Sequence, residues 1–114
     1  MTDDTQRLFA RASHLVLRIH LNAQALLANL QRNISSKGGG GRVNQPLLSK
    51  SLLDLRSCLN EFIEITKIDM QQASEALDGS FRALDEGDLN SLYKEIQEFY
   101  RDGVLGTLLE LSQQ

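Results

Sequence analysis

Two histidines and one cysteine are the strongest chemical groups in this sequence: His14, His20 and Cys58. The histidines stand six positions apart in a helical pattern. Side chains share a helix face at three- or four-residue spacing, so the two do not converge on one ligand or substrate. No acidic residue lies near either in sequence to orient the ring. Cys58 sits beside Leu55 and Leu59 and reads as a small buried hydrophobe. Glu61, Glu64, Asp69 and Glu75 form the other group of interest. A carboxylate metal centre inside a helical bundle needs inward glutamates together with Glu-x-x-His pairs, and the sequence has no such pair. These acids read as a solvated face.

Nucleophilic catalysis finds no legible pattern, neither Cys–His nor Ser–His–Asp. Gly38 to Gly41 resemble a phosphate loop only in composition, because no strand precedes them and no Lys-Ser/Thr follows. Phosphoryl transfer through a bundle histidine is chemically feasible. Histidine phosphotransfer domains, however, carry a lysine and small residues just after the histidine, whereas here the sequences are HLVLR and HLNAQ. Both histidines are read as surface or boundary residues. The expectation is a protein that is not an enzyme, with no catalytic residue, no metal site and no cofactor.

The elements that must position these groups are helical. Leucine and alanine supply much of the apolar content, tryptophan is absent and proline occurs once. The 114 residues allow one small domain, residues 1–114, with one core. Helix A is predicted over about 3–34, capped by Thr2 or Thr5, with Asp3 and Asp4 complementing the positive end of its dipole. Its stripe runs Phe9, Ala12, Val16, Ile19, Ala23, Leu26 and Leu30, with Leu27 and Ile34 on one margin and Leu8 and Leu15 on the other. Helix B is predicted over about 46–85. Pro46 opens it, and Leu48, Leu52, Leu55, Leu59, Phe62 or Ile63, Thr66, Met70, Ala73, Leu77, Phe81 and Leu84 keep one phase through Gly79. Asp85 to Asp88 form the next turn, with Gly87 in the left-handed conformation and Asp88 capping helix C, about 88–112. Gly103 can end or bend helix C. The fold class is therefore all-α, an antiparallel bundle of three long helices with room for a short fourth at the C-terminus.

Residues 35–45 connect A and B and hold the four glycines. Two readings stay open for them: a natural loop, or an introduced linker standing in for a longer segment.

Charge divides the chain. Residues 1–37 carry five basic and two acidic side chains, the remainder seven basic and thirteen acidic. The two parts should attract each other. The absence of a clustered basic surface across the domain argues against nucleic acid as partner. No apolar run approaches the ~20 residues that span a bilayer. The opening MTDDTQRLFARAS has no basic region followed by an apolar core, so it does not read as a signal peptide. A cytoplasmic protein is expected, with the nucleus equally compatible with a single cysteine.

What remains is surplus apolar surface. Leu17 and Leu21 are four apart and face away from the stripe of helix A. Leu105, Leu108 and Leu109 form an L-x-x-L-L pattern of the kind that enters apolar grooves. These five are the expected partner-binding residues. The function expected is a protein–protein interaction module, whether adaptor, complex subunit or small chaperone, that binds a helical segment of a partner. Acidic residues of B and C would steer a basic partner. Alternatives are a homo-oligomeric bundle, in which the partner is a second copy, and a histidine phosphotransfer-type domain.

Overall fold

A computed structural model describes residues 3–35 and 45–112. All the elements there are helical: α1 (Asp3–Ser35), α2 (Gln45–Thr66), α3 (Gln71–Glu86), α4 (Leu89–Gln97), a π-helical stretch (Glu98–Leu105) and α5 (Gly106–Ser112). The glycine run Gly38–Gly41, and Thr2 as a cap, lie outside the described residues. Thr5 lies inside α1 and does not cap it.

Cross-helix pairs give the topology. Arg11 of α1 bonds Glu61 near the end of α2, and Arg56 of α2 bonds Asp78 of α3. Gly103 rests on Ala73, so the C-terminal rod runs opposite to α3. His20 meets Tyr100, and the same rod also runs opposite to α1. Packing joins α1 to α2, α2 to α3, α3 to the C-terminal rod and that rod back to α1, and among the described residues the backbones of diagonal rods do not approach each other. The result is an up-down-up-down arrangement of four rods. The all-α class holds, but the three-helix bundle does not.

The difference lies in helix B, which is two helices. Residues 67–70 break it. Lys67 adopts φ 60°, and its N–H donates to the Ile63 carbonyl at 2.8 Å, a left-handed helix stop. The Thr66 hydroxyl donates to the Phe62 carbonyl at 2.7 Å and accepts from the Ile68 N–H at 3.2 Å. Asp69 then accepts from the Gln71 N–H at 3.0 Å, satisfying an otherwise orphaned donor at the start of α3. Thr66, Met70 and Ala73 keep helical phase in the sequence by coincidence, and so periodicity hides the break.

Gly79 is inside α3, as its phase indicates. Gly87 has φ 72° and donates to Leu84, while the Asp88 N–H reaches the Ala83 carbonyl at 3.0 Å. This is a complete Schellman motif. Asp88 caps α4 by accepting from the Ser91 N–H at 3.1 Å and the Ser91 hydroxyl at 2.7 Å. Those two bonds hold its carboxyl below the usual range.

One core runs through all four rods. Leu15, Ile19, Ala23, Leu26 and Leu30 of α1 face Leu52, Leu55, Leu59, Leu77, Leu92, Ile96 and Phe99. Each fully buried leucine contributes about 1.5–3 kcal/mol. The stripe expected on α1 starts too early, because every residue from Asp3 to Arg11 is exposed and Phe9 is 75% exposed. Leu8 is seven residues before Leu15 and shares its face, yet it lies beyond the reach of the core. At ~1.5 Å per residue α1 is about 50 Å long. It sets the 57 Å long axis of a molecule only 23 by 19 Å across. No helix among the described residues is long and apolar enough to cross a membrane.

Candidate binding surface

The C-terminal rod begins as an ordinary α-helix and then widens. From Glu98 to Leu105 it is π-helical, with the Gly106 N–H reaching back to the Arg101 carbonyl. The wider turn buries adjacent pairs together, Phe99 with Tyr100 and Gly103 with Val104. Gly103 therefore neither ends the helix nor simply bends it. π turns are rare and recur at functional positions. Here the turn presses Gly103 onto α3 and carries Tyr100 to α1.

At α1 the Tyr100 hydroxyl pairs with His20 Nδ1, and the two rings tilt at 53° with centroids 5.2 Å apart. Burial pushes the Tyr100 phenol up from its ordinary value. With the imidazole proton on Nε2, the hydroxyl donates and Nδ1 accepts. His20 is thus a half-buried partner of Tyr100, while His14 is exposed more than a turn upstream. The structure does not bring the two histidines together. Cys58 is 4% exposed and burial raises its thiol, the condition of an inert packed cysteine. Among the described residues no three His, Cys, Asp or Glu side chains are grouped to hold a metal ion. Arg11 and Glu61 form a surface ion pair in which the guanidinium holds the carboxyl below its usual range.

Two clefts open along α1, one between it and the C-terminal rod, the other where α1, the end of α2, the α2–α3 break and α5 meet. One, of about 390 Å³, lies between Gln24, Leu27, Ala28 and Gln31 of α1 and Tyr93, Gln97, Arg101 and Leu105 opposite. The other, of about 400 Å³, is apolar and opens at the end of the bundle among Phe9, Val16, Phe62, Ile68 and Leu108.

The five leucines singled out from the sequence distribute over this flank. Leu17 and Leu21 are 53% and 57% exposed. They lead along one strip of α1 into Gln24 and Ala28, at three-, four- and seven-residue spacings. Leu105 lines the same first cleft, so three of the five share one continuous surface. Leu108 lines the apolar cleft instead. Leu109 is 61% exposed on α5 and lines neither. Phe9 and Ile68 line the apolar cleft without having been foreseen there, because Phe9 looks like a core position and Ile68 falls in the unforeseen break, while Phe62, 3% exposed, reaches the cleft from the core.

No protein-family model matches this sequence, no curated protein is similar to it, and no solved structure matches its fold. The functional reading therefore rests on the surface itself.

Proposed function

We propose that the chain is a non-enzymatic protein-interaction module, an adaptor or a subunit of a larger assembly, that receives a helical segment of a partner along the outward side of α1. The observation that carries this reading is the joint exposure of Leu17 and Leu21, continued by the cleft that Leu105 lines. Two leucines one turn apart, with a groove beside them, supply the spacing that a helix docks against. Leu108 and Leu109 extend the contact toward the end of the bundle. The partner is a protein and not a nucleic acid, and the cytoplasm or nucleus is the compartment we assign to such a module. A second copy of the chain is the alternative occupant, by the same chemistry.

Site-specific photo-crosslinking tests the reading. A photoreactive residue in place of Leu21 should give one discrete adduct in cells that make the protein, and the same residue in place of Glu86 should not. Adding Leu17→Ser should abolish the adduct with helicity unchanged. An adduct of equal yield from both positions, or one indifferent to Leu17→Ser, would overturn the proposal. An adduct of twice the chain mass, with a dimer in light scattering across a dilution series, would select the homo-oligomer.

A further inference from the structure

The partner's chemistry can be read from the charge around Leu17 and Leu21, an inference that rests on the interaction-module reading. From Thr5 to Ser35, α1 contains no acidic residue. Its outward strip runs Arg7, His14, Leu17, Arg18, Leu21 and Arg32, every one exposed. The small residues Ala10, Ala25 and Ala28 lie on the same strip at helical spacings, where a second backbone can approach closely. Among the described residues Arg7, Arg18 and Arg32 make no ion pair, while Arg11 is engaged by Glu61. Across the first cleft stands Arg101, loosely paired with Asp102 at 3.4 Å. Glu61 of α2 is the acid that faces this strip from the α2 side, held by Arg11 and also within the field of Arg18 and His14, and on the other side Asp102 of the C-terminal rod is paired with Arg101. Glu75, Asp78, Asp85 and Glu86 lie on α3, the rod diagonal to α1. The acids of α3 therefore stand away from this face, whose own side chains are basic.

We infer that the occupant of the Leu17–Leu21 strip is an acidic amphipathic helix of a partner protein. Its aliphatic seam covers the two leucines, and glutamates or aspartates on the flanks meet Arg7, Arg18 and Arg32. Charge complementarity of this kind selects the partner and speeds encounter more than it adds affinity. Asp3 and Asp4 close the basic strip, so the partner's acidic stretch stops opposite the first turn of α1.

A displayed library tests this: amphipathic helices with a fixed leucine seam, their flanks randomised among glutamate, lysine and glutamine, selected on the full chain. Glutamate should be enriched severalfold on the flanks, and Leu17→Ser with Leu21→Ser should abolish the enrichment. Arg18→Glu should turn one flank position toward lysine, and Arg7→Glu should do so nearer the end, each with circular dichroism unchanged. Lysine enrichment, no enrichment, or enrichment indifferent to the leucine variants overturns the inference. So does arginine-dependent binding to phosphatidylserine vesicles without glutamate enrichment, which would make the strip a membrane face. A dimer dissolved by the leucine variants overturns it too, in favour of a second copy. A Leu21 adduct in cells together with lysine enrichment would leave the module reading standing while this partner chemistry fails. Loss of both would end both.

Discussion

Gly103 of the π-helical stretch lies so close to Ala73 of α3 that a Cβ placed on it would stand 2.6 Å from the Ala73 Cα. The obstruction is backbone, so neither helix can yield locally. Gly103→Ala should force the C-terminal rod off α3 and cost about 1–3 kcal/mol, the range for overpacking a closed interface. Gly79→Ala is the control. Its Cβ would meet only the far end of the Glu95 side chain, at 2.7 Å, which can swing away. The gain of about 1 kcal/mol for Ala over Gly inside a helix should then appear in part. Urea unfolding of the two variants checks both signs.

Lys67 carries the left-handed conformation that ends α2, at φ 60°. A side chain there costs about 1–2 kcal/mol, against roughly 0.5–1 kcal/mol of extra unfolded-state freedom for glycine. Lys67→Gly should therefore stabilise modestly, and Lys67→Val should destabilise, since a β-branched residue tolerates this region poorly. Thermal melts of the pair separate the backbone effect from loss of the charge.

These two glycine-type positions show what the sequence could and could not say. The turn after α3 was legible because Gly87 and Asp88 announce it with two independent devices, a left-handed stop and a cap. The break before α3 has weaker marks. Lys67 is no glycine, and the signature is Asp69 with Gln72 three residues on, a cap-and-return spacing that apolar phase overrides. Burial of Leu15, Leu52 and Leu92 followed from periodicity, whereas the exposure of Phe9 did not, since period gives the face of a helix and not how far its neighbours extend. Leu17 and Leu21 could be seen as outward-facing from spacing alone. Their continuity with Leu105 depends on the antiparallel register of α1 and the C-terminal rod, which long-range packing sets. The π turn that brings Tyr100 to His20 has no local sequence signal that we can name.

Asp88 gives the fold an acid-sensitive joint. Its carboxyl is held below the ordinary range by Ser91, so the contribution is fully present above that range and is lost as pH falls through it to the depressed folded value. Glu61 has the same sign through Arg11. Melting temperature should fall as the solution is acidified past the carboxylate range. Asp88→Asn should keep the cap and flatten part of that slope, while Asp88→Ala should lower the melting temperature at every pH. Added salt should weaken the share owed to Arg11–Glu61 and leave the Ser91 bonds largely intact.

Tyr100 sets the opposite, alkaline limit. Burial disfavours its phenolate, so stability should decline as pH rises beyond the ordinary tyrosine range. The chain has two tyrosines, and Tyr93→Phe leaves Tyr100 to report alone. Its phenolate absorbance should appear later than that of the unfolded chain in urea. Tyr100→Phe should cost about 1 kcal/mol by leaving His20 without its partner. Coincident folded and unfolded titrations would show that the ring is open to water.

Leu17 and Leu21 should be dispensable for folding if they belong to a partner's footprint. Exposed positions away from caps and ion pairs change stability by about 0.5 kcal/mol or less, whereas truncating a buried leucine costs about 2–5 kcal/mol. Leu17→Ser with Leu21→Ser should accordingly leave the urea midpoint within error of the parent chain. Leu15→Ala, two residues from Leu17 but 1% exposed, should lower that midpoint clearly, at a cost of about 2–5 kcal/mol. The comparison isolates the side of α1 on which each residue stands, since helix propensity favours alanine over serine and so works against the expected order. Equal destabilisation by both variants would place Leu17 and Leu21 in the core, and the outward strip would then have no apolar seam to offer a partner helix.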